Sequence, residues 1–121
     1  MTLQTLFFLP AVALLLLAAD PAIDSAHKKI VEKKYDEAIA ELESSYHAKP
    51  KPEVKQALVE ANLAKADAFM NDQTAPPRIR YTTALRAYRA TLKYDPQNKK
   101  AQENIATIEG IYKQMGRPIP Q

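Results

Sequence analysis

Arg86, Arg89 and Lys93 stand at i, i+3 and i+7, a spacing that lines side chains along one face of a helix. Arg78, Arg80, Lys99 and Lys100 flank them, so residues 76–100 hold seven basic side chains and one acidic. Such a basic face is either simply solvated or meets something negative, an acidic partner or anionic lipid headgroups. No nucleic-acid-binding motif accompanies it, and a whole-chain net charge of +3 is too small to argue for nucleic acid. Residues 32–43 lean the other way, with Glu32, Asp36, Glu37, Glu41 and Glu43 against two lysines. Opposite charge in two regions of one chain offers a route to head-to-tail association.

Catalytic and metal chemistry find little to work with. The chain has no cysteine, which excludes disulfides, thiolate zinc sites, iron–sulfur ligation and covalent haem attachment. His27 and His47 fall on different expected helices. Asp24 and His27 share a face at i, i+3, but no second ligand pair completes a site, so both histidines read as surface residues. No nucleophile motif, glycine-rich phosphate loop or paired-carboxylate constellation is present. The expectation is a protein that is not an enzyme, with no cofactor, no metal and no small-molecule substrate.

The elements that position these residues read as helices. Two glycines, no tryptophan and abundant Ala, Lys, Glu and Leu favour helix over sheet, and 121 residues make room for one domain. Residues 1–19 carry no charged side chain and include an unbroken apolar run over 6–19. A run of that length fits the apolar core of a signal peptide, with Ala18 and Ala19 before Asp20. Against cleavage, no Lys or Arg precedes the run and Leu17 stands where a small residue is preferred. The rival is a retained anchor: nineteen residues make a helix of roughly 28 Å, close to the ~30 Å hydrocarbon thickness. Lys28, Lys29, Lys33 and Lys34 follow the run, so a retained anchor places the domain in the cytoplasm and a cleaved signal exports it.

Beyond Asp20 the apolar spacing and the breakers predict helices over 22–32, 35–48, 53–71, 79–94 and 99–115. The first has Ile23, Ala26, Ile30 and Val31 on its apolar side. Residues 71–77, NDQTAPP, read as a loop, and residues 116–121 as a short mobile tail after a Gly116 cap. Residues 20–115 therefore form the helical domain.

Two of these helices repeat. Residues 35–50, YDEAIAELESSYHAKP, and 81–96, YTTALRAYRATLKYDP, align at a constant offset. Tyr35 answers to Tyr81, Ala38 to Ala84, Ile39 to Leu85, Leu42 to Tyr88, Ser45 to Thr91 and Pro50 to Pro96. This pattern resembles the tetratricopeptide repeat family, in which a helix pair recurs with a period of about 34 residues. In that family the second helix carries an aromatic, an alanine three positions on and a closing proline. Ala26 and Ala106 stand where the family's first helix has its small residue. The resemblance covers residues 20–115 as two repeats and a terminal helix. The family's glycine and tryptophan landmarks are missing, and the offset between Pro50 and Pro96 exceeds the family period. The extra length is assigned to a lengthened third helix and the 71–77 loop. Glu60 stands where that helix should be small.

The resemblance implies an all-α fold, a short right-handed α-solenoid of antiparallel helix pairs, with an N-terminal hydrophobic helix added in front. It also implies that first-type helices line a groove for a partner segment, here His27, Ile30, Ala57, Ala61, Ala64, Lys65, Lys100 and Asn104. One subgroup grips a chaperone's C-terminal carboxylate with Lys, Asn and Arg. Of those positions Lys100 alone fits here, while Ile23, His27 and Leu58 do not. The groove is mainly apolar and alanine-rich, suited to a helical or apolar segment, though the same alanines also serve for helix packing. The expected function is a non-catalytic protein–protein interaction module at or across a membrane. The alternative is a small structural subunit of a membrane complex held by its N-terminal transmembrane helix.

Overall fold

A computed structural model describes residues 20–121. The anchor-or-signal reading concerns residues 1–19 and lies outside the described residues. Five helices and no strand occur among the described residues: α1 (Pro21–Val31), α2 (Tyr35–Ala48), α3 (Pro52–Met70), α4 (Pro77–Tyr94) and α5 (Lys99–Gln114). The protein is all-α. Among the described residues no helix is long and apolar enough to cross a membrane.

Local chemistry sets the helix ends. Asp20 caps α1 by accepting from the Ala22 backbone N–H at 2.9 Å, and Asn98 caps α5 by accepting from Ala101 at 3.0 Å. Helices α1, α3 and α4 each begin slightly earlier than expected, at Pro21, Pro52 and Pro77. Proline is suited to a first helical turn, where its missing N–H costs nothing and its fixed φ is already helical. The α3–α4 loop is held by Asp72, whose carboxylate accepts from the Thr74 backbone at 3.0 Å and from its hydroxyl at 2.6 Å. Those bonds keep the Asp72 carboxyl below its ordinary range.

Two helices end alike. Arg117 and Gly116 N–H groups donate back to Tyr112 and Lys113, with Gly116 at φ 64. Lys34 and Lys33 donate back to Lys29 and Ile30, with Lys33 at φ 61. Both are Schellman closures, and a left-handed residue is required at the turn. Lysine there bears a Cβ clash that glycine does not. Replacing Lys33 with Gly is expected to stabilise the domain by about 0.5–1 kcal/mol, read as a rise in chemical-denaturation midpoint with unchanged slope.

Helices adjacent in sequence pack against one another, with α3 against α4 the most extensive interface, and α1 also touches α3. Among the described residues there are two cores. The first gathers Ala26 of α1, Ala38 and Leu42 of α2, and Val54, Ala57, Leu58 and Ala61 of α3. The second gathers Ala66 of α3, Ala84, Leu85, Ala87 and Tyr88 of α4, and Ala101, Ile108 and Tyr112 of α5. Helix α3 serves both, its first half in one core and its second half in the other. Tyr46 and Tyr94 meet edge to face at 5.9 Å and tie α2 to α4.

Several expectations are corrected by this packing. Val31 is 83% exposed, because it sits about 100° round the helix from Ile30 and only one of them faces the core. Ala106 is exposed, since no sixth helix follows α5 among the described residues, and Ala101 is the α5 alanine that is buried. Glu60 points outward, and its neighbour Ala61 takes the buried position. Residues 116–121 are not a loose tail: Ile119 packs on the second core, and Arg89 Nη1 donates to the Pro120 carbonyl at 2.8 Å.

Candidate functional site

The residues expected to line a groove separate into two groups. Ala57 and Ala61 are 4% and 0% exposed, spent on packing in the first core, and offer no surface to a partner. Ile30, Ala64, Lys65 and Asn104 are partly exposed, and His27 and Lys100 are exposed. The polar members are engaged within the chain. His27 Nε2 lies 3.6 Å from Glu60 Oε2, joining α1 to α3. Lys65 Nζ lies 2.6 Å from Asp36 Oδ1, joining α3 to α2. Lys100 Nζ lies 2.5 Å from Asp67 Oδ2, joining α5 to α3, and Asn104 donates to the Lys100 carbonyl at 2.8 Å. The three ion pairs tie helix to helix, while the Asn104 bond lies within α5.

Asp67 has a second donor. The Tyr88 hydroxyl reaches its Oδ1 at 2.6 Å from a ring that is 1% exposed. Burial first, then the Asp67 carboxylate, push the Tyr88 phenol above its ordinary range. Nothing in the sequence marks this Tyr88–Asp67–Lys100 linkage, because its three members come from three helices.

Three of the five carboxylates in the acidic stretch are paired with their own neighbours. Glu41 accepts from Lys29 at 2.6 Å and from Ser25 at 2.9 Å, bonds that hold its carboxyl below the ordinary range. Glu32 pairs with Lys34 at 3.2 Å and Asp36 with Lys65.

The expected basic face is interrupted. Arg86 and Lys93 are exposed, and Lys93 Nζ lies 5.5 Å from the Tyr94 ring centroid. Arg89 between them is two-thirds buried, forming an ion pair with Glu109 at 3.7 Å and donating to the Pro120 carbonyl. Arg80 stacks on Tyr81 at 4.7 Å.

A cleft that the sequence does not announce opens beside this face. It lies between the first half of α4, the end of α5 and the C-terminal tail, with a volume of 390 Å³. Arg78, Arg86 and Arg117 stand around it, and Tyr81, Tyr112 and Met115 form its apolar walls. Thr82 Oγ1 and the Tyr112 hydroxyl share a hydrogen bond of 3.2 Å in its lining. Arg78 and Arg86 belong to the basic stretch already visible in the sequence. Arg117 is remote from both in sequence, beyond the end of α5, and only the Gly116 turn brings it back. Among the described residues no group of His, Asp and Glu is arranged to hold a metal ion.

No protein-family model matches the chain, and no match is found among curated proteins or solved structures.

Proposed function

We propose that this chain is a non-catalytic protein–protein interaction module of the tetratricopeptide type, a short right-handed solenoid held at or across a membrane by its N-terminal hydrophobic segment. One observation supports the reading above others. The repeat in sequence is matched by a repeat in burial: Ala38 and Ala84 are both 0% exposed, and Leu42 and Tyr88 are 0% and 1%. Equivalent residues of α2 and α4 thus perform equivalent packing, each against the preceding first-type helix. That is how stacked helix pairs bury their apolar faces against their neighbours, with α3 here contributing to both cores. The nineteen uncharged residues before Asp20 carry the membrane part of the proposal.

The recognition surface in this reading is the half-open strip of Ile30 and Ala64, bordered by His27, Lys65, Lys100 and Asn104. A partner helix or apolar segment would lie there, and its polar side chains would meet lysines already held in place by Asp36 and Asp67. Preorganised groups lose little freedom on binding.

The test is site-specific crosslinking of the full-length protein in mild detergent, with a photoreactive residue in place of Ala64 or of exposed Ala40 on α2. The expected result is one discrete crosslinked product from position 64 and none from position 40. Equal labelling from both positions sinks the groove. N-terminal sequencing of the same preparation decides the membrane part, since a chain that starts at Asp20 is not anchored. A stoichiometric partner that stays bound only when residues 1–19 are present would instead favour the structural-subunit reading.

A further inference from the structure

We infer that the cleft between α4, α5 and the C-terminal tail is a docking site for a short acidic segment of a partner protein, held by Arg78, Arg86 and Arg117. The inference does not rest on the groove, from which it is separate.

Charge is the first reason. Lys29, Lys34, Lys65, Arg89 and Lys100 each have a carboxylate within 4 Å in this chain. Among the described residues Arg78, Arg86 and Arg117 have none, and no acidic side chain lines the cleft. Three guanidiniums around one concavity leave its positive potential uncompensated. Arginine forks match carboxylates in particular, because their paired N–H groups donate to both oxygens at once.

The apolar part of the lining sets what else the segment carries. Tyr81, Tyr112 and Met115 supply apolar wall, so the segment that fits has acidic side chains around an apolar one.

Position argues against lipid headgroups as the source of negative charge. Residues 1–19 join the domain at Asp20, which contacts Ser45 and Lys51. Tyr94, in contact with Tyr46, puts the C-terminal end of α4 there too. Tyr81 and Arg78 are thirteen and sixteen positions back along α4, so the cleft lies roughly 20–25 Å from that end.

The experiment uses the full-length protein in detergent micelles and follows the fluorescence anisotropy of a labelled peptide alternating glutamate and leucine. The expected result is saturable, salt-sensitive binding, weakened about tenfold or more when the glutamates become glutamines. The same loss is expected in the triple variant Arg78→Gln, Arg86→Gln, Arg117→Gln, with far-UV circular dichroism unchanged. Ala64→Asp, in the groove, leaves peptide binding intact, so the two surfaces fail or stand separately. Absence of saturable binding overturns the inference, as does undiminished binding by the triple variant. Arginine-dependent binding only to phosphatidylglycerol vesicles also overturns it. If the triple variant does not fold, Arg117→Gln alone decides, since Arg117 lies outside the helices, and unchanged affinity then refutes the site.

Discussion

Tyr88→Ala is expected to remove about 3–5 kcal/mol from the folding stability, the largest loss from any single truncation in this domain. The ring is the largest fully buried side chain, 1% exposed, at the meeting of α3, α4 and α5. Its removal leaves a cavity in a core otherwise built largely of alanines, which have little side chain with which to fill it. A domain of this size has roughly 5–15 kcal/mol in total, so the loss is a large share of it and the melting temperature should fall by roughly 12–40 °C. Tyr88→Phe isolates the hydroxyl. It keeps the ring and deletes the bond to Asp67, whose other oxygen retains Lys100, so a smaller loss of about 1–2 kcal/mol is expected.

The same pair predicts a pH signature. Folded Tyr88 holds its proton beyond the ordinary phenol value of 10.0. The folded state therefore binds more protons than the unfolded state once pH passes that value. Stability from this group is complete below the ordinary phenol value and declines as pH rises above it. Tyr88→Phe should flatten that alkaline decline in denaturant-unfolding curves, without abolishing it. Tyr94 is raised as well, by burial and by Glu43, and continues to contribute. An identical alkaline slope in wild type and Tyr88→Phe would contradict the assignment.

The second large effect separates core from groove. Ala61→Asp is expected to cost more than about 4 kcal/mol and to abolish cooperative unfolding, whereas Ala64→Asp is expected to cost less than about 1 kcal/mol. Both are alanines on one helix, three positions apart. Ala61 is 0% exposed among Ala26, Ala57 and Leu58, and an aspartate there would place a carboxylate inside an apolar cluster. Ala64 is half-buried, and a carboxylate at that position stays hydrated. Thermal melts of the two proteins would check the contrast. Similar melting temperatures would mean that Ala61 is a surface residue after all, and would restore it to the groove.

Much of the architecture was legible in the chain alone. Proline, glycine, aspartate and asparagine impose their effects within a turn or two, so all five helices lie close to their expected bounds. The burial of Ala38, Leu42, Ala84 and Tyr88 follows from a periodicity that any single helix displays. Even the departure at Glu60 could be anticipated from its charge, which forces it outward.

Which alanines form core and which form surface was a different kind of question. Ala57, Ala61 and Ala64 have identical side chains and neighbouring positions on α3, and only the angle at which α1 and α2 cross that helix distinguishes them. Charge pairing was equally hidden. Lys65 meets Asp36 and Lys100 meets Asp67 across 29 and 33 residues of chain, so lysines that looked available in sequence are tied down. The arginine cleft is the converse case. Local sequence determined that α4 would be basic, through Arg78, Arg86 and Arg89. Tertiary structure decided that Arg89 would be neutralised by Glu109 while Arg78 and Arg86 would be joined by Arg117. It did so because the left-handed turn at Gly116 folds the tail back across α4, and no periodicity along the chain encodes where a tail will land.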